Sequence, residues 1–220
     1  MYELARGPLL WIAMLVFIGG VAYRVVQLFL LTRKKERVYC PPGSIKAESP
    51  AGRKFRVVLA LQNSLLGQHP VMAIGSFVFH CCLFAVPIFC LGHNVLLRQA
   101  IGLSFLSVPD GLTNFLTIII LLGVLFFFLR RLVVPRVRAV SAPYDHAVLL
   151  ITAAPFLTGL LAYYQWGDYR TILTCHALAG DLMLIAIPFT KLGHMVFFFF
   201  ARFFLGSEYS FGRGGREWTT

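Results

Sequence analysis

From Val71 to Leu97 the chain contains no Asp, Glu, Lys or Arg. At about 1.5 Å of rise per residue, a helix of that length crosses the roughly 30 Å hydrocarbon layer of a bilayer. Four more apolar stretches accompany it, and together they predict spans at about 8–31, 71–97, 112–129, 147–166 and 174–201. Lipid offers no partners to open backbone N–H and C=O groups, so the spans must be helical. The expected fold is all-α: one integral membrane bundle of five transmembrane helices over residues 1–220, with a polar loop at 32–68. Composition agrees, since 58% of residues are hydrophobic and only 13% charged, about half the charged share of a soluble domain.

Local signals place the ends of the spans. Pro8 suits a helix start, and Arg33-Lys34-Lys35-Glu36-Arg37 closes the first span. Pro41-Pro42-Gly43 and Ser49-Pro50-Ala51-Gly52 are turn signals in the loop. From Arg53 to Leu66 basic and apolar residues alternate at helical spacing, as in an amphipathic helix lying at the interface. The third span stops at Arg130-Arg131, and the fifth is interrupted by Asp181, Pro188 and Lys191. The apolar segment Met1–Leu31 is too long for a cleavable signal and lacks a cleavage pattern. No soluble domain and no internal repeat stand out.

The net charge is +11, but its distribution speaks for a membrane rather than for nucleic acid. Eight Lys and Arg lie in the 32–68 loop, four at 130–143 and three after Ala201. Arg6, Arg98 and Arg170 are the ones on the opposite side, while Arg24 and Lys191 fall inside spans. The positive-inside rule then puts the N-terminus outside and the C-terminus in the cytoplasm. The basic run Arg130–Arg138 suits docking of a cytoplasmic partner or anionic lipid head groups.

Six histidines are present: His69, His80, His93, His146, His176 and His194. A histidine inside a span is costly and usually functional, and haem iron in electron-transfer sites takes axial ligands from protein side chains. His176 and His194 are 18 residues apart, about five whole turns, so a continuous helix presents both on one face, one near each membrane surface. The second span supplies candidates for the opposing ligands. Depth in antiparallel helices pairs His80 with His194 and His93 with His176. Helical phase argues otherwise, because His80 and His93 are 13 residues apart and an ideal helix turns them roughly 140° from each other. His69 and His80 would share a face unaided, which leaves His69 as the alternative to His93. Pro87, between His80 and His93, offers a kink that could restore the phase. The reading is two haems b, with His80, His93, His176 and His194 as axial ligands.

Of the five cysteines, Cys40, Cys81, Cys82, Cys90 and Cys175, none forms a CxxC or CxxCH pattern. That argues against an iron–sulfur cluster or a covalent c-type haem within this chain.

With these residues in view, the chain resembles the gamma (cytochrome b) subunit of respiratory nitrate reductase. The likeness is carried by Pro135-Arg136-Val137-Arg138-Ala139 and by Pro188-Phe189-Thr190-Lys191-Leu192-Gly193-His194. It implies five spans, two haems b, and ligands at His80, His93, His176 and His194, His93 at a longer spacing than the family's. Phe79-His80, Val86-Pro87-Ile88-Phe89, His93-Asn94, Ala186-Ile187-Pro188-Phe189 and Gly206-Ser207-Glu208 are similar to the membrane cytochrome b of the transmembrane redox complex of sulfate-reducing bacteria. That similarity implies two partners: a periplasmic multihaem cytochrome c and a cytoplasmic iron–sulfur subunit like that of heterodisulfide reductase. The location implied is the bacterial cytoplasmic membrane.

Three charges inside spans have two readings each. Arg24 fits either a haem propionate, which guanidinium binds bidentately, or snorkelling to the interface. Asp181, close to His176, fits proton exchange with a quinol or a local hydrogen bond. Lys191, near His194, fits a quinone or proton site or snorkelling. Functionally, the chain reads as an electron relay across the membrane between those two partners. The alternative is a membrane anchor that oxidises or reduces menaquinol. A third reading, a small-molecule transporter with structural histidines, has no broken-helix repeat pattern in this sequence to support it.

Overall fold

The computed structural model describes residues 2–33 and 65–198. These residues are largely helical, and no strand occurs among them. Among the described residues, five helices are long and apolar enough to cross a membrane, at Tyr2–Leu30, Pro70–Phe89, Asp110–Val133, Pro143–Tyr163 and Tyr169–Phe189. Nearly all of the expected interfacial helix at Arg53–Leu66 lies outside the described residues.

The first span opens with a turn at Tyr2–Leu4 and a π-helical turn at Ala5–Leu9, and continues as α1 (Leu10–Arg33). Pro8 therefore sits inside the helix and does not start it. Its ring crowds the carbonyl four residues back and it has no N–H to donate, a conflict that a widened π turn accommodates. The second span is two helices, α2 (Pro70–Phe89) and α3 (Leu91–Ile101), separated by an extended Cys90 with φ −64° and ψ 132°.

The third span, α4 (Asp110–Val133), runs past Arg130-Arg131 rather than stopping there, as long basic stems allow at a membrane edge. A short turn, α5 (Pro135–Arg138), leads to α6 (Pro143–Tyr163). α6 starts earlier than its apolar residues suggest, because Pro143 occupies its first turn and Asp145 Oδ2 accepts the Ala142 N–H at 2.9 Å.

The last span, α7 (Tyr169–Phe189), also starts early, capped by Asp168, whose carboxylate accepts the Thr171 N–H at 2.9 Å. It does not continue unbroken to Ala201. Thr190 is extended (φ −120°, ψ −177°), Lys191–Gly193 form a 3-10 turn, and helix resumes at 194–198. The single-helix phase argument for His176 and His194 therefore does not hold, since the break resets it.

α7 packs against both α6 and α1, α6 packs against α4, and α4 against α2. A compact apolar cluster of Phe79, Cys82, Val86, Ile120, Val124 and Phe156 sits where α2, α4 and α6 meet. Gly123 admits Phe79: a Cβ there would lie 2.6 Å from Phe79 Cδ2. Outside this cluster the usual order is reversed. Leu15, Phe77 and Leu106 are 69%, 70% and 80% exposed, while Thr113, Thr117, Thr152, Asn94 and Asp181 are buried. An apolar exterior around polar interior groups is what a bilayer selects. Thr117 and Thr152 spend their hydroxyl protons on the carbonyls four residues back, at 2.8 and 3.0 Å.

Candidate cofactor sites: two facing histidine pairs

The second and fifth spans are not among the closely packed helix pairs. Their histidine side chains meet across the space between them. His80 of α2 faces His194, ring centroids 5.8 Å apart and planes at 90°. His93 of α3 faces His176 of α7, also at 5.8 Å, with planes within 12°. The Nε2 atoms of His93 and His176 are only 3.5 Å apart. The nitrogens are closer than the centroids, so these rings point at each other edge to edge and are not stacked.

All four rings are oriented the same way by the backbone. Nδ1 of His80 donates to Ser76 O (2.6 Å), of His93 to Pro87 O (3.0 Å), of His176 to Pro155 O (2.9 Å) and of His194 to Lys191 O (2.7 Å). A carbonyl can only accept, so Nδ1 must carry the proton. In the neutral ring that leaves Nε2 as the lone-pair nitrogen, the form that ligates metals. Between His93 and His176 two lone pairs then face each other with no proton to share. An electron-pair acceptor between them would resolve this. A metal bonded to both at roughly 2 Å needs the nitrogens roughly 4 Å apart, slightly more than the structure has.

The donor count narrows the kind of acceptor. No group of three His, Cys, Asp or Glu that could hold a metal ion occurs among the described residues. A structural zinc site takes four protein ligands, whereas haem iron needs only axial ones from the protein. Glycines make room beside the rings. A Cβ on Gly159 would lie 3.0 Å from His176 Cε1, while one on Gly180, a turn along α7 from His176, would meet nothing within 4 Å. The donor set of each pair is one that a haem would fit, with His93 and His176 or His80 and His194 as the residues that would hold it.

His93 reaches its partner through the break at Cys90 and not through a simple kink at Pro87. The break frees carbonyls, and side chains take them up. His93 bonds Pro87 O, while Asn94 Nδ2 donates to Ile88 O (2.9 Å) and Cys90 O (3.1 Å). Asn94 Oδ1 accepts the Phe105 N–H at 2.7 Å, and Asn94 is 3% exposed. His69 caps the start of α2, is exposed and belongs to neither pair. His146 lies in the first turn of α6, against Phe128.

The other sequence candidates are placed as follows. Arg24 Nε donates to Pro188 O at 3.1 Å, a carbonyl near the break before His194. Lys191 pairs with Asp145, Nζ to Oδ1 at 2.5 Å, with Tyr144's ring 5.7 Å from the ammonium. Asp181 is 3% exposed and its Oδ2 has no hydrogen-bond partner among the described residues. Asn94, Asp145 and Gly159 belong to the site without having been singled out as functional. One signal was available for the breaks: Pro-x-x-x-Leu-Gly-His occurs twice, at Pro87–His93 and at Pro188–His194.

The fold and its histidines define a class: a multi-pass helical membrane protein with two transversely facing histidine pairs. The sequence matches no model of a known protein family. It is 37% identical over 217 residues to a protein of Nitratidesulfovibrio vulgaris strain Hildenborough named simply "Protein", covering 98% of this chain and 96% of the relative. The chain belongs to the same family as that protein.

Proposed function

We propose that this chain is a dihaem membrane cytochrome b, the electron-carrying subunit of a respiratory complex in the bacterial cytoplasmic membrane. The observation that carries the reading is the His93–His176 pair, with Nε2 facing Nε2 at 3.5 Å and both Nδ1 protons committed to backbone carbonyls. His93 and His176 would hold one haem b, His80 and His194 the other. Haem so bound supplies reversible one-electron chemistry. The protein's part is to fix each imidazole in the ligating tautomer, with Phe79 of the apolar cluster set edge-on against the His80 ring. Arg24, on the Pro188 carbonyl, stands where a guanidinium could also meet a propionate near His194.

With the fifteen-to-three split of Lys and Arg placing the C-terminus in the cytoplasm, the His93–His176 pair is on the periplasmic side and the His80–His194 pair on the cytoplasmic side. The resemblance to the transmembrane redox complex, and the origin of the relative in a sulfate reducer, support a periplasmic multihaem cytochrome c and a cytoplasmic iron–sulfur subunit as partners. A second reading rests on Asp181. A buried carboxyl with an unpartnered oxygen, five residues from His176, suits proton exchange with menaquinol.

Pyridine haemochrome analysis of the purified chain tests the reading. Two haems b per polypeptide are expected, and none or one overturns it. Reduction of those haems by a menaquinol analogue without partner subunits would favour the quinol reading.

A further inference from the structure

The turn that presents His194 is held from another helix. Lys191 O accepts the His194 Nδ1–H at 2.7 Å and so fixes that ring. The side chain of the same Lys191 reaches α6 and pairs with Asp145. Asp145 is 8% exposed, although Lys191 is 65% exposed. Its second oxygen accepts the Ala142 N–H, so the carboxylate is anchored before the lysine arrives. Within the turn, Thr190 Oγ1 accepts the Leu192 N–H at 3.2 Å. The turn has the Leu192 and Gly193 N–H bonds to Thr190 of its own, and the Lys191 ammonium ties it to α6. An exposed ion pair contributes little, but losing one partner of a pair whose carboxylate is buried leaves that charge poorly compensated.

We propose that the Asp145–Lys191 ion pair is a positioning device for the His80–His194 site: it clamps the 190–193 turn to α6 and thereby sets the right-angle orientation of the His194 ring against His80. This rests on the dihaem reading above. The two residues act through His194 and touch no cofactor. No corresponding ion pair links Cys90 of the other break to a neighbouring helix among the described residues, where Asn94 closes the turn locally.

The test is the low-spin EPR signal of the full-length holoprotein in detergent, because its anisotropy follows the angle between the axial ring planes. His194→Ala and His176→Ala variants assign the two wild-type signals. Lys191→Met and Asp145→Asn are both expected to shift the His80–His194 signal, in the same direction, and to leave the His93–His176 signal in place. Lys191→Arg, which can rebuild the pair, is expected to restore the wild-type signal. Should the Met variant not accumulate, Lys191→Gln, which keeps a donor but no charge, is read instead, with a smaller shift expected. Unaltered signals would overturn the inference. So would equal changes in both haems, or midpoint potentials that move oppositely in the two variants with unchanged EPR, since the pair would then act only as charges. A wild-type chain without two haems would overturn the dihaem reading and this inference with it; two haems with unaltered signals in the variants would overturn this inference alone.

Discussion

The break before His93 and the break before His194 have the same sequence pattern and are closed in different ways. At the first, the freed carbonyls are taken up within residues 87–108: His93 bonds Pro87 O, Asn94 bonds Ile88 O and Cys90 O, and Val108 N–H bonds Phe89 O at 3.0 Å. At the second, help comes from distant helices. Arg24 of α1 bonds Pro188 O, Gly20 of α1 lets Pro188 approach so closely that a Cβ would lie 2.6 Å from it, and Asp145 of α6 holds Lys191. One pattern thus yields a break closed within its own stretch of chain and a break held by side chains of two other helices. Pro-x-x-x-Leu-Gly-His sets up a break, and its neighbours decide what supports it.

The sharpest way to break this comparison is at the ligands. His93→Ala and His176→Ala should each remove one and the same haem, and His80→Ala and His194→Ala the other, while His69→Ala keeps both. Haem stoichiometry with redox titration of the survivor reads this. If His69→Ala removed a haem and His93→Ala spared both, the pairing by depth would fall.

A smaller effect is expected at Asn94. Asn94→Leu leaves the Ile88 and Cys90 carbonyls and the Phe105 N–H without this partner, at a cost below the about 1–3 kcal/mol of a fully buried orphan group because these bonds are only part-buried. The variant should melt earlier and lose the His93–His176 haem first, with the other pair intact. Loss of both haems together would show that the first break is not self-contained. Smaller again is Gly159→Ala. Its Cβ meets the His176 ring at 3.0 Å, tight enough to displace the ring by a few tenths of an ångström but not to expel it. A shifted spectrum for that haem alone, at full stoichiometry, is the expected result.

The smallest effect concerns Asp168, which serves as a control remote from both breaks. It is exposed, and hydrogen bonds from the Thr171 side chain and backbone hold its carboxylate below the usual range. Its support for the start of α7 is therefore present above the unfolded carboxylate pKa of about 3.9 and fades as pH falls through the lower folded value. Thermal melts of Asp168→Asn and wild type should differ slightly at pH 7 and converge in acid, with haem content unchanged throughout.

The sequence made the spans and the histidine depths legible, because bilayer thickness and a 1.5 Å rise leave little choice of register. Helical phase was the less reliable guide. It assumes unbroken helices, and single extended residues at Cys90 and Thr190 discard the angle while barely altering the depth. The ends of the spans were misjudged where polar residues extend a helix beyond its apolar stretch: Asp145 and Asp168 cap α6 and α7 early, and Arg130-Arg131 ride inside α4. Lys191 and Arg24 were visible as charges in spans, but a sequence does not say that their partners are Asp145 and the Pro188 carbonyl.

The separation of the second and fifth spans has a consequence for biogenesis. Each of those helices leans on others, α2 on α4, and α7 on α1 and α6, so the scaffold can insert and assemble before any prosthetic group arrives. The imidazoles are already turned toward one another by Ser76, Pro87, Pro155 and Lys191 carbonyls, which leaves little reorganisation for maturation to perform. On the dihaem reading, a haem held by both members of a pair would join two helices that do not otherwise pack closely. Loading the haem and tightening the bundle would then be one event.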